Sequence, residues 1–277
     1  MVLMVLMVTE TPEALLRFAV YAGENALPLF FALLAALLVL VSGSWWVSRA
    51  YVLPGVRNRW PQAGMVLLWG LAGFAIVIGA AMLFAALADA LVGDGDMSRL
   101  DEALTASLSQ HAGAATLRVF AAFTHFGDSL VLTGLGIANG LLLWLAGRRA
   151  LAFGWVLAVG GNALLNPALK RVFERIRPVH ENSIVSELGW SFPSGHTSGA
   201  TVAYGMLAYI AVRTLPAIWH LPAVLAAAAL AFTVGCSRIF LQVHFPSDVA
   251  AGFASGAAWL VVCIGSVELS RRFRTRV

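Results

Sequence analysis

An all-α membrane protein, a helical bundle of six core spans plus one additional N-terminal span, is the fold class that this sequence predicts. Two compositional facts and one pattern carry that prediction. Of 277 residues, 60% are hydrophobic and only 12% are charged, and the mean hydropathy is +0.84. A soluble domain carries about 25% charged residues, so there is too little charge here to coat a water-facing surface. The pattern is a recurrence of uncharged runs, each near the roughly 20 residues that cross a bilayer core as a helix. These runs are continuously apolar rather than alternating. Only helices and closed barrels satisfy their backbone in lipid, and the lack of alternation selects helices.

The runs follow in order. Ala26–Val47 is the first and Met65–Ala88 the second. Ser129–Gly147 and Ala150–Leu169 come next, almost joined. Gly195–Val212, Leu221–Ser237 and Val249–Val267 complete a set of seven. Before them, Met1–Val8 is apolar but has no basic residue ahead of it and no small-residue cleavage site, unlike a signal peptide. Residues 1–25 read as an interfacial or outward-facing lead, helical after Thr11-Pro12-Glu13. Between the second and third spans, Leu100, Leu104, Leu108 and Leu117 recur at helical spacing and predict short interfacial helices. Three units are expected: 1–63 as the lead and additional span, 64–270 as the six-span core, and 271–277 as a basic tail.

Charge placement orients the bundle. With seven spans the termini lie on opposite sides. If Arg271, Arg272, Arg274 and Arg276 are cytoplasmic, Arg49, Arg57, Arg59, Arg148, Arg149 and Arg213 share that side. The opposite face then takes 13 of the 14 acids, among them Asp94, Asp96, Asp101, Glu102, Glu181 and Glu187. This is the positive-inside arrangement. The basic residues are scattered between apolar runs, which excludes a nucleic-acid-binding face. Cys236 and Cys263 lie inside apolar stretches, which excludes a disulfide framework.

Eight basic residues are left on the outer face, and five of them fall in two short segments, an anomaly against the charge rule. The first segment is Lys170-Arg171-Val172-Phe173-Glu174-Arg175-Ile176-Arg177-Pro178. Lys170 is the single lysine beside 17 arginines, which points to a specific use rather than generic charge. At 100° per residue, Lys170, Glu174 and Arg177 share one helical face, and the helix should stop near Pro178. The plain alternative is a basic flank that anchors a helix end at the headgroups.

Two further segments sit on the same face. Phe192-Pro193-Ser194-Gly195-His196-Thr197 reads as a helix start whose first N–H groups offer an anion site, with His196 at its mouth. Ser237-Arg238 followed by His244-Phe245-Pro246-Ser247-Asp248 places an acid four residues after a histidine. Pro246 suits the first turn of the last helix. Cations and N–H groups neutralise the equatorial oxygens in phosphoryl transfer. One imidazole can attack phosphorus, oriented by a carboxylate, and a second can protonate the leaving oxygen.

These residues resemble the signature of the type 2 phosphatidic acid phosphatase superfamily, which also includes the vanadium haloperoxidases. That signature runs K-x6-R-P, P-S-G-H and S-R-x5-H-x3-D. Here it is Lys170…Arg177-Pro178, Pro193-Ser194-Gly195-His196 and Ser237-Arg238…His244…Asp248, with every specified residue present and correctly spaced. The resemblance implies that His244 is the nucleophile, that Asp248 orients it, and that His196 is the general acid and then the base for water. It implies that Lys170, Arg177, Arg238, Ser194 and the Gly195 N–H bind phosphate, with Asp128 as a supporting residue. It implies no metal and no other cofactor. The expected partners are a lipid phosphate and the bilayer, with no nucleic acid and no obligate protein partner.

The function expected is removal of a phosphate or pyrophosphate group from a lipid through a phosphohistidine, in a bacterial inner membrane with the site facing outward. Undecaprenyl pyrophosphate is the first substrate candidate. Phosphatidylglycerol phosphate, phosphatidate, diacylglycerol pyrophosphate and lipid A phosphates are the others. A lipid phosphotransferase on the same scaffold and a non-enzymatic transporter are the rival classes. Asn162 and Asn166, four apart in one span, are expected to hold helices together.

Overall fold

A computed structural model of the chain describes residues 12–52, 62–91, 96–178 and 188–274. Expectations that rest on Met1–Val8, Arg57, Arg59, Asp94, Glu181, Glu187 and Arg276 lie outside these residues. Ten α-helices make up the described chain: α1 (Pro12–Glu24), α2 (Ala26–Val47), α3 (Gln62–Asp89), α4 (Asp96–His111) and α5 (Ala114–Thr124), then α6 (Ser129–Leu145), α7 (Arg149–Phe173), α8 (Gly195–Thr214), α9 (His220–Phe240) and α10 (Pro246–Arg274). All seven apolar runs are helical.

Five helices are long and apolar enough by themselves to cross a membrane, and a sixth span appears if α5 and α6, bent by 43° at Asp128, count as one. The remaining run is α8, whose 20 residues include His196, Thr197, Ser198 and Arg213 and are too polar to qualify alone. Its place in the bundle explains why it can be polar. α8 packs against α6, α7, α9 and α10, and half of its residues are buried. It is sheltered from lipid by the other spans, which turn Leu40, Met82, Leu130 and Leu164 outward.

Small residues let the central helices approach closely. A Cβ on Gly205 would lie 2.3 Å from Leu260, and one on Gly252 would lie 2.8 Å from Thr197. Trp155 is fully buried and donates from Nε1 to the Gly136 carbonyl at 2.7 Å, which removes the cost of an orphan N–H in an apolar core. The additional span α2 is not detached. Its Phe30 ring packs on Phe120, Phe232 and Phe240, and the Phe120 and Phe240 rings stack at 4.0 Å. The leading helix α1 docks on α4, burying Ala19 and Ala22, with Ser107 donating to the Val20 carbonyl at 2.9 Å.

One expectation fails. Residues 170–177 do not form a continuous helix that ends near Pro178. α7 stops at Phe173, and Glu174 takes a left-handed conformation (φ 44°) with its N–H on the Lys170 carbonyl. This reversal costs a non-glycine residue some backbone strain. It turns the chain back over the bundle end, and the Ser191 N–H then bonds the Arg175 carbonyl at 2.7 Å. Lys170 and Arg177 are brought together by that turn, not by a shared helical face.

Candidate active site

Four helix ends meet at one end of the bundle: the C-termini of α7 and α9 and the N-termini of α8 and α10. Between them lies a cavity of about 450 Å³ whose wall includes Lys170, Arg177, Gly195, His196 and His244. Asn162 and Asn166 line it too, and Leu132, Val159, Ala163 and Pro167 form an apolar side. One wall is therefore cationic and the other greasy, and the volume falls in the range of small-ligand sites.

His244 is 1% exposed and sits just ahead of α10. The main chain holds it in place: its N–H and that of Val243 both donate to the Arg238 carbonyl, at 3.3 and 3.1 Å. Its two ring nitrogens face different partners. Nε2 lies 3.0 Å from the Arg177 guanidinium. Arginine has only donors to offer, so Nε2 must carry the lone pair. Nδ1 must then carry the proton, which it shares between Asp248 Oδ2 at 3.4 Å and Ser191 Oγ at 3.2 Å. Burial pushes the ring's pKa down to about 4; Asp248 opposes this and Arg177 and Arg238 reinforce it. A neutral imidazole at ordinary pH, with a defined tautomer and its lone pair at a cationic wall, is what an attacking nitrogen needs.

Asp248, fully buried, is the centre of a larger network. Its position in the first turn of α10 lets Oδ2 accept the Phe245 N–H at 2.8 Å as a helix cap. The Ser191 hydroxyl donates to the same oxygen. Oδ1 accepts from Arg175 Nη1 at 2.7 Å. Arg175 continues to Ser247 Oγ at 2.8 Å and to Asp101 Oδ2 at 2.8 Å, with its guanidinium 4.2 Å over the Phe245 ring. Asp101 also takes the Ser247 N–H at 3.2 Å and its hydroxyl. Burial lifts the Asp101 carboxyl above the usual range, against the pull of Ser247 and Arg175.

The second histidine is held differently. His196 Nε2 bonds Asp128 Oδ1 at 2.9 Å, and Asp128 Oδ2 bonds His125 Nδ1 at 2.7 Å. Burial works against the Asp128 charge, but its bonds to His125 and His196 win and hold the carboxyl below its usual range. An ionised Asp128 favours a protonated His196. Gly127 makes room for that ring, since a Cβ there would lie 3.0 Å from His196 and 2.6 Å from Val234.

The other expected residues divide into wall and support. Arg177 also donates to the carbonyls of Gly189 and Val243 at 3.0 and 2.8 Å, and Lys170 to that of Trp190 at 2.8 Å. Ser194 is the N-cap of α8: its hydroxyl accepts from Thr197 and its N–H donates to the Asp248 carbonyl at 3.0 Å. Arg238 is 1% exposed and bonds Thr124 through Nη1. Asn166 does join elements, reaching the Pro193 carbonyl at 3.4 Å and Ser198 at 3.3 Å.

Comparison with known proteins decides the family. Residues 149–272 match the PAP2 superfamily. Phosphatidylglycerophosphatase B of Bacillus subtilis is 35% identical over 160 residues, covering 57% of this chain and 78% of that protein. The chain belongs to the PAP2 superfamily. A crystal structure of the transmembrane PAP2-type phosphatidylglycerolphosphate phosphatase from Bacillus subtilis superposes with a TM-score of 0.67 at 30% identity, covering 71% of this chain and 98% of that one. A decaprenylphosphoryl-5-phosphoribose phosphatase of Mycolicibacterium smegmatis is 35% identical, covering 47% of this chain and 68% of that protein. This PAP2 protein is a multi-pass membrane phosphatase.

Within the PAP2 site, Arg175, Ser191, Ser247 and Asp101 are the residues that the sequence reading passed over. Arg175 and Ser191 stood inside or beside quoted segments, but nothing in linear order separates Arg175 from its neighbours Arg171 and Arg177. Asp101 lies 74 positions from Arg175, and Arg175 lies a further 73 from Asp248, so only the fold could join Asp101 to the site.

Proposed function

We propose that this enzyme hydrolyses the terminal phosphate of a membrane lipid through a phosphohistidine on His244 Nε2. The observation that carries the reading is the ring's tautomer: the lone pair faces Arg177 and the cavity while Nδ1–H is held by Asp248 and Ser191. In the first step Nε2 bonds to phosphorus as the bond to the lipid oxygen breaks. His196, charged beside Asp128, gives that oxygen its proton. In the second step His196 takes a proton from water, the oxygen of which bonds to phosphorus as the P–N bond breaks. Phosphate leaves and both histidines return to their starting states. Lys170, Arg177 and the Gly195 N–H at the start of α8 neutralise the equatorial oxygens, with Ser194 and Arg238 supporting from behind. Asp248 stabilises the imidazolium that forms.

The apolar wall of Leu132, Val159 and Ala163 suits a tail that stays among the helices while its headgroup enters. The substrate class is a lipid with a terminal phosphate: the relatives' names favour a phosphomonoester, phosphatidylglycerol phosphate first, and undecaprenyl pyrophosphate, an anhydride, is the competing candidate. In this reading residues 64–270 form the catalytic unit, and the charge asymmetry supports a site on the outer face of an inner membrane.

The test is a phosphate-release screen of the purified protein over these lipids, with and without chelator, paired with quenched-flow trapping of acid-labile phosphoprotein. Release of free phosphate without an added acceptor lipid, insensitive to chelator, is expected. His244→Ala should abolish both release and labelling. Full activity in that variant would remove the nucleophile assignment. Transfer to a second lipid without free phosphate would make the protein a phosphotransferase.

A further inference from the structure

At the end of the bundle away from the site, the start of α7 and the ends of α8 and α10 bring four arginines to one cavity of about 320 Å³: Arg148, Arg149, Arg213 and Arg271. Gly147 and the first turn of α7 complete its wall. Glu268 pairs with Arg213 at 3.5 Å and accepts from Tyr209 at 2.6 Å. Among the described residues, Arg148, Arg149 and Arg271 have no ion-pair partner. Arginines that only anchor helix ends would be spread around the bundle and would point apart, because like charges repel. Here three helices turn theirs into one concave space, where an anion would relieve the repulsion.

Depth indicates where that anion sits. Lys170 and Arg149 lie at opposite ends of α7, about 31 Å apart at 1.5 Å per residue. That is the thickness of a bilayer core, so the second cluster lies at the opposite leaflet. The Arg149 guanidinium lies 5.4 Å over the half-exposed ring of Trp144, an aromatic placed where a membrane–water belt would fall. Basic pockets between transmembrane helices bind anionic lipid headgroups.

We propose that Arg148, Arg149, Arg213 and Arg271 form a second phosphate site, which takes the phosphodiester of an anionic lipid headgroup in the leaflet opposite the catalytic cavity. No chemistry takes place there. The bound lipid ties α7, α8 and α10 together at the end where they are not joined by the catalytic network. This inference does not depend on the reaction assigned to the catalytic site.

The test is native mass spectrometry of the full chain in detergent, with phosphatidylglycerol, phosphatidylcholine or inorganic phosphate added. Wild-type protein should retain phosphatidylglycerol well above phosphatidylcholine. With about a five-fold contribution from each arginine near a membrane surface, Arg148→Gln/Arg213→Gln/Arg271→Gln should weaken that retention roughly a hundred-fold. Its phosphate-release rate should be unchanged, which shows that it folds. Arg177→Ala should retain the lipid. Inorganic phosphate binding at this cluster without lipid retention would support the phosphate chemistry and assign a soluble source. Equal retention of both lipids by wild type would overturn the proposal without reference to any variant. So would loss of the lipid in Arg177→Ala, which would place it in the catalytic cavity.

Discussion

Arg175 bonds both Asp101 and Asp248, and replacing it by methionine isolates its role. Methionine keeps an apolar stem against Phe245 but removes bonds of 2.7 Å to Asp248, 2.8 Å to Asp101 and 2.8 Å to Ser247. Two carboxylates that are 0% and 3% exposed are then left together without that charge. Removing one partner of a buried ion pair costs about 3–5 kcal/mol, a large share of the 5–15 kcal/mol that holds a typical protein folded. We expect Arg175→Met to lose about 3–5 kcal/mol in reversible denaturant unfolding in mixed micelles at neutral pH. The deficit should shrink toward acid. A carboxyl with a raised folded pKa loses stability as pH rises, and Asp101 is already raised with Arg175 present. The variant should therefore lie closer to wild type at about pH 5 than at about pH 8. The double variant Arg175→Met/Asp101→Leu should cost less in total than the sum of the two single changes. Additivity within about 0.5 kcal/mol, or a deficit that does not vary with pH, would refute the network.

Three further outcomes follow from the same site. The His244 ring, whose pKa is lowered from 6.5 to about 4, should stay neutral until the pH falls near 4 in a ¹⁵N-imidazole NMR titration. Between those values the unfolded chain binds a proton that the folded one does not, so stability should fall as pH drops through the window; a ring midpoint near 6.5 would contradict the burial argument. Asp128→Asn should lower kcat with little change in KM, by less than the roughly 10²–10⁴-fold loss expected of His196→Ala as a general acid, and an equal or larger loss would make Asp128 more than a support. Gly127→Ala should also lower kcat, because its Cβ would press on His196 and Val234; unchanged kinetics would show that His196 can shift without consequence.

Hydropathy and motif order made much of this protein legible before any coordinates. Burial in lipid is a property that each segment carries in its own composition, so runs such as Ala26–Val47 and Leu221–Ser237 announce helices without reference to the rest of the chain. The charge signature of Lys170, Arg177, Arg238, His196 and His244 is equally local, because a phosphate site demands those residue types. What linear order could not supply was pairing. That Glu174 reverses the chain, that α8 lies at the centre and can be polar, and that Arg175 rather than Arg171 reaches Asp248 all depend on which surfaces meet. Asp101 is the clearest case: on a short amphipathic helix it reads as an ordinary solvated acid. Only docking of α4 against the start of α10 buries it beside Arg175. Whether a charge is solvated or structural is decided by its neighbours in space, and those come from the tertiary fold.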